Sequence, residues 1–244
     1  MEVLITGGAG YIGSHVALNL LDAGYEVTII DDLSTGKKNL IPSKAEFVNI
    51  NVNELEKIES LLKTKKFVAL MHFAGFIEVE ESVSYPEKYF ENNTTNSIKL
   101  FDRCLQNGLS NIIFSSTATV YGNSTHKGLL SETDDIKPIN PYGQSKVKTE
   151  HYLQQFDSSK INYIILRYFN VAGADLKMRS GLIKKNPTHL IKIASEAAIG
   201  KRGSVQIFGN DYNTPDGTAI RDYIHVSDLA NIHIKVLEFI LEKK

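Results

Sequence analysis

The sequence predicts an α/β protein, a doubly wound parallel sheet with a smaller C-terminal lobe. Three observations carry this. Short apolar, β-branched runs alternate with helical patterns from Val3 to about Arg167. A glycine-rich turn, "VLITGGAGYIGSH", joins the first run to the first helical pattern. The alternation fades after about Phe169 and gives way to turn chemistry such as "NDYNTPDGT".

Each element has its own signal. Val3–Thr6 is a strand and Ile12–Ala23 a helix; Tyr25–Ile30 and the short Phe47–Asn51 are strands. A helix near Glu54–Lys63 leads into Phe67–Phe73, whose continuous apolar character fits a strand covered on both faces. Asn93–Gln106 is a helix, with Ile98, Phe101 and Leu105 at helical spacing. Asn111–Ser115 and Asn162–Arg167 are strands on either side of a helix over Tyr142–Gln155. Strands separated by helices require crossovers, which make them parallel. Leu190–Gly200 and a stretch from about Ser227 to the end are the last helices. The expected division is a Rossmann-like nucleotide-binding domain over 1–170 and a substrate lobe over 171–244.

Composition narrows the function classes. The 244 residues are 42% hydrophobic and 23% charged, with a formal net charge of −1. That is globular composition without the basic excess that phosphate neutralisation demands, so a nucleic-acid partner is not expected. Cys104 is the single cysteine, which rules out an internal disulfide and argues against a metal site. The sequence has neither a signal-peptide pattern nor an apolar run of membrane-spanning length. The expected location is the cytoplasm, with no membrane partner.

The glycine-rich turn is the strongest motif. Gly7, Gly10 and Gly13 lie between strand and helix with G-x-x-G-x-x-G spacing. Such glycines permit the sharp turn, the approach of backbone to a pyrophosphate and close helix–sheet packing. The helix start adds free N–H groups and partial positive charge for phosphates. Asp31 follows Gly13 by 18 residues, near the roughly 20 expected of an acid that binds ribose hydroxyls. A carboxylate there repels a 2′-phosphate, so NAD is expected rather than NADP. Asp32 competes for the role.

"INPYGQSK" sets Tyr142 and Lys146 four residues apart, on one face of a helix opened by Asn140 and Pro141. A phenol titrates near 10, and bringing it to neutrality takes about 4 kcal/mol of preferential phenolate stabilisation. A neighbouring ammonium and an oxidised nicotinamide both act in that direction. The phenolate then serves as a general base. Upstream, "FSSTATVYG" places Ser115, Ser116 and Thr117 at a strand's C-terminal end, the edge facing the cofactor crevice.

Together "TGGAGYIGSH", "HFAGFIEVEESV", "FSSTATVYG", "PYGQSK", "LRYFNVAGA" and "IFGNDYNTPDGTAIRDYIHVSDLA" resemble the UDP-glucose 4-epimerase family of the extended short-chain dehydrogenases, in order from residue 1 to about 235. The resemblance implies NAD-dependent inversion at C4 of a UDP-hexose through a transient 4-keto sugar. It implies that Tyr142 is the acid–base residue, Lys146 its partner on the nicotinamide ribose, and Thr117 a hydrogen-bonding neighbour of the sugar 4-hydroxyl. Tyr11 and Ile12 would meet the pyrophosphate through backbone, and Asn51 and Val52 the adenine side. Phe73, Ala74, Gly75, Asn92 and Phe169 would line the cofactor. Asn170, His189 and Arg221 would contact the UDP-sugar.

Two departures accompany the resemblance. Asn51 stands where the family usually carries aspartate. The family also continues beyond "VLEFILEKK" with further lobe elements, so the substrate lobe is expected to be partial. The alternatives are a nucleotide-sugar 4,6-dehydratase and a non-catalytic NAD-binding truncated paralogue. The related dehydratases carry Asp-Glu where this sequence has Ala118 and Thr119. The helices over Asn93–Gln106 and Tyr142–Gln155 match those of the family's homodimer contact, so a homodimer is a further expectation.

Overall fold

A computed structural model describes residues 1–123 and 128–242. Six parallel strands form one sheet: β1 (Glu2–Thr6), β2 (Glu26–Ile30), β3 (Glu46–Val48), β4 (Phe67–His72), β5 (Asn111–Ser115) and β6 (Asn162–Leu166). Their spatial order is β3-β2-β1-β4-β5-β6. The chain builds outward from β1 to β3, then returns to the other side of β1 with β4. This reversal opens a crevice at the C-terminal ends of β1 and β4, where doubly wound sheets bind ligands.

Strand alternation divides the core between the two faces. Leu4, Leu70, Ile112 and Phe114 point to one side, with Ile58, Leu62, Phe101 and Leu153. The helices there are α2 (Leu55–Thr64), α5 (Ser97–Gln106) and α6 (Pro141–Gln154). Val3, Ile5, Ile29, Met71 and Ile113 point to the other side, with Val16 and Leu20 of α1 (Tyr11–Asp22) and Leu237 and Ile240 of α8 (Val226–Glu242). Each such side chain, fully buried, contributes about 1.5–3 kcal/mol. Cys104 is buried in the first face and its thiol is pushed up to about 12 by burial, so it acts as core rather than as a nucleophile.

The packing departs from the expected division at residue 170. α8 lies far along the chain, yet its apolar stripe packs on α1 and the sheet. Only part of the segment over 171–244 therefore stands apart from the sheet. That part is anchored by β7 (Asn170–Ala172) and β8 (Tyr223–His225), which pair in parallel. At three residues each, they are too short to show a period. Between them α7 (Leu190–Ala198) has no buried residue.

Helical structure also precedes Asn93. Two short helices, α3 (Val79–Ser84) and α4 (Pro86–Tyr89), lead into a widened π-type stretch over Phe90–Asn96 that continues into α5. Proline at the break and a run of glutamates hide this segment's apolar period.

Candidate active site

The floor of the crevice is the glycine turn. Gly7 has φ +74, and a Cβ there would lie 2.5 Å from the Ala74 nitrogen. A Cβ on Gly13 would lie 2.4 Å from the Gly7 oxygen. Both glycines are thus required by geometry. Sequence reasoning missed Gly8, whose Cβ would meet Ile29 Cγ2 at 2.7 Å. Gly10 precedes α1, and no side chain caps that helix start. The N–H groups of Tyr11, Ile12 and Gly13 are left to an external acceptor, the arrangement that suits a phosphate.

Asp31 follows β2 directly and is buried. Its carboxylate accepts the N–H of Ala9 at 3.0 Å and of Leu33 at 2.9 Å, which braces the glycine turn. Burial raises its pKa against those two amides. Asp32 takes the Ser34 N–H at 2.9 Å and the Asn51 side-chain amide at 2.5 Å. Burial raises its pKa, but these hydrogen bonds outweigh it and the net direction is downward. Asn51 thus neutralises nothing but holds Asp32 by donation. An aspartate in its place would set two carboxylates together.

Gly7, Asp31, Asp32, Asn51, Val52, Ala74, Gly75 and Asn92 line one cleft, with Ser34, Thr35 and Phe76 added by the structure. Of the other expected cofactor positions, Gly10, Tyr11, Ile12, Gly13 and Lys146 stand outside its lining, as do Phe73 and Phe169. Phe73 turns its ring to the core, 5.0 Å from His233, and offers only backbone. Phe169 is half exposed. The Tyr11 hydroxyl donates to the Gly173 carbonyl at 2.7 Å, which ties α1 to the second lobe.

At the other end of the cleft stands α6. Asn140 caps it by accepting the Gly143 N–H at 2.8 Å, with Pro141 at its first position. Tyr142 and Lys146 are both buried. Lys146 Nζ donates to the Ser115 carbonyl at 3.0 Å and sits 4.9 Å from the Phe114 ring centre. Its ammonium is pushed down to about 8, by burial first and against the Glu150 charge. A Cβ on Gly75 would come within 3.4 Å of Lys146 Nζ, so the cleft and the Tyr142–Lys146 face are contiguous.

Burial raises the Tyr142 phenol above its ordinary value, and Thr117 opposes that. The Lys146 ammonium is turned to the Ser115 carbonyl, and a buried phenolate loses more solvation than this arrangement returns.

The three strand-end hydroxyls are also sorted. Ser115 pairs with the Tyr168 hydroxyl and Ser116 donates to Glu150. Thr117 donates its hydroxyl to Thr119 Oγ1 at 3.0 Å and accepts the Thr119 N–H at 3.1 Å, and it is the strand-end hydroxyl that opposes the rise of the Tyr142 phenol. Asn93, which the sequence reading passed over, is fully buried and binds Phe76 through both amide groups, at 2.8 and 2.9 Å. It arises from the widened helical turn, whose signal no simple period contains.

The three residues expected on the substrate lie on the second lobe. Asn170 donates its side-chain amide to the Asp222 carbonyl at 3.0 Å, so it joins β7 to β8. Arg221 is exposed and its guanidinium donates to the Ile220 carbonyl at 2.7 Å. His189 precedes α7 with a buried Nδ1 that has no hydrogen-bond partner. Burial lowers its pKa, and Lys184 adds to that. Among the described residues no cluster of His, Cys, Asp or Glu is arranged to hold a metal, and no helix is long and apolar enough to cross a membrane.

Known proteins share this fold. The model of the NAD dependent epimerase/dehydratase family matches residues 3–244. The UDP-glucose 4-epimerase of Azospirillum brasilense is 48% identical over 237 residues, 97% of this chain and 68% of that protein. The crystal structure of UDP-glucose 4-epimerase from Brucella ovis in complex with NAD superimposes with a TM-score of 0.93 at 39% identity, covering 99% of this chain and 74% of that one. The corresponding enzyme of Stenotrophomonas maltophila, with bound NAD and formylated UDP-arabinopyranose, gives a TM-score of 0.92 at 36% identity, covering 98% and 74%.

Proposed function

The chain belongs to the NAD dependent epimerase/dehydratase family, and we propose that it inverts C4 of a UDP-hexose, interconverting UDP-glucose and UDP-galactose through a 4-keto sugar. The observation that carries this reading is Tyr142, Thr117 and Lys146 buried together at the end of a glycine-floored cleft.

The residues present fit NAD. The uncapped start of α1 would hold the pyrophosphate, Asp31 the adenosine ribose, and Asn51 and Val52 the adenine. Held there, NAD would supply the acceptor for the C4 hydride and the donor for its return. The chain's own residues manage the proton and the position. Tyr142 accepts the 4-hydroxyl proton at its phenolic oxygen and gives it back after the sugar has turned. Thr117 hydrogen-bonds that oxygen and orients the substrate. Lys146 binds the ribose and supplies positive charge near the phenol. Because burial holds the phenol high in the free protein, its activation belongs to the complex rather than to the apoprotein. Ala118 and Thr119, which cannot act as an acid–base pair, favour epimerisation over 4,6-dehydration.

Residues 1–169 with α8 form the cofactor unit in this reading, and the segment from β7 to β8 presents Asn170, His189 and Arg221 to the nucleotide diphosphate and sugar. Arg221 suits phosphates by its planar fork of donors. The reading includes a cytoplasmic protein, free of nucleic acid, that forms homodimers through α5 and α6. A monomer by light scattering would remove the last point.

Incubation with UDP-galactose and NAD, followed by chromatography, tests the main proposal: UDP-glucose is the expected product, and 4-keto-6-deoxy sugar would replace epimerisation with dehydration. A second reading, NAD binding without turnover, is favoured by α7, which buries nothing. NAD binding with no conversion of any UDP-hexose would establish it.

A further inference from the structure

We infer that Glu150 is the positioning residue that keeps Lys146 charged and aimed into the cleft, as the buried counter-ion of the Tyr142–Lys146 face. The inference rests on the reading of Tyr142 and Lys146 given above, and its geometry is as follows. Tyr142, Lys146 and Glu150 succeed one another at four-residue intervals on α6 and form one stripe. The Glu150 side chain is 0% exposed and that of its partner Arg167 is 11% exposed.

The Glu150 carboxylate is fully occupied. It accepts Arg167 Nη2 at 2.6 Å, Arg167 Nε at 3.1 Å and the Ser116 hydroxyl. Arg167 in turn donates Nη1 to the Tyr121 hydroxyl at 3.0 Å. Ser116 is adjacent to Ser115, whose carbonyl receives Lys146 Nζ. Glu150 therefore holds the strand end that holds the lysine, and adds a negative charge behind it.

The other groups around Lys146 offer no anion. From β4, His72 is kept neutral by burial, to which Lys146 itself adds. From β5 come the Phe114 ring and the Ser115 carbonyl. From the end of β6, the Tyr168 hydroxyl is turned to Ser115, and burial raises its pKa. On α6 itself Tyr142 is raised as well. Glu150 is the charge that opposes burial at Lys146. An uncharged residue at 150 leaves the lysine to desolvation, and its proton is lost at lower pH.

The test is a pH titration of the Lys146 side chain by NMR, on full-length protein carrying 13C at lysine Cε, with the resonance identified by Lys146→Arg. The midpoint in the unaltered protein is expected near 8. Glu150→Gln is expected to move it lower by about one pH unit or more, and the pH above which NAD binding weakens should fall with it. Ser116→Ala, which removes a hydroxyl and no charge, should leave the midpoint in place. If Glu150→Gln does not fold, Glu150→Asp, which draws the carboxylate back by one methylene, should lower the midpoint in the same direction by less. An unmoved midpoint in whichever of the two variants folds overturns the inference. The titration needs no sugar nucleotide. A protein inactive on UDP-sugars that still shows the shift keeps this inference and loses the epimerase reading; an active protein without the shift does the reverse.

Discussion

The sheet and the segment between β7 and β8 use similar apolar residues to opposite effect. In the sheet and its covering helices, Leu4, Ile5, Ile29, Leu70, Phe101 and Phe114 are 0% exposed. In the lobe, Leu176, Met178, Ile207 and Phe208 are between 80% and 93% exposed. The sheet buries its side chains because each strand is flanked on both faces by helices. The lobe's one helix, α7, has no second layer. Cofactor chemistry is thus mounted on the rigid part of the molecule, and the residues proposed for the nucleotide diphosphate on the part with least packing. Regions with few buried contacts open at the least free-energy cost.

Substitution gives the sharpest contrast. Phe101→Ala is expected to cost about 3–5 kcal/mol by its cavity in the first core face. Phe208→Ala should stay within about 0.5 kcal/mol. Chemical denaturation of the two variants measures this, and equal losses would erase the distinction between the regions. On the catalytic side, Tyr142→Phe should lower epimerisation by about 100-fold or more while leaving the thermal midpoint and NAD affinity close to unchanged. Steady-state assay and fluorescence titration separate these outcomes.

Asp31→Asn should weaken NAD by about tenfold or more, since a charged hydrogen bond contributes about 1.5–3 kcal/mol. Calorimetry with NAD and NADP should also show the preference between them narrowing.

Acidification should act on the sheet. Burial holds His72 at about 3 and His233 at about 4, so both are neutral in the folded protein. In the unfolded chain each titrates near 6.5. A folded pKa below the unfolded one means stability is full above pH 6.5 and is lost as pH falls from there toward 4. The thermal midpoint should decline over that window. The smallest effect is expected at Arg221→Ala: it is exposed, so the thermal midpoint should hold while KM for the UDP-sugar rises.

Much of this was legible in the residues themselves. Asn111–Ser115 is the strand the sequence predicts, and the strands and helices predicted before Asn93 shift by at most one residue at their ends, except that the third strand ends at Val48 rather than Asn51. The short helices over Val79–Tyr89 and the three-residue strands β7 and β8 left no period to read. Eight of the expected cofactor positions share one cleft. Phe73 and Phe169 do not, because a motif gives a residue's place in the chain without the direction of its side chain.

The sequence by itself determined the order of strands and helices, the glycine turn, the cap at Asn140 and the shared face of Tyr142 and Lys146. These are local features, set by spacings of a few residues and by backbone sterics. Only the tertiary structure decided that Ser115 turns to Tyr168 and Ser116 to Glu150, that α8 returns to the sheet, and that Glu150 closes on Arg167 beneath the lysine. Those outcomes depend on burial, and burial is created by segments far apart in the chain.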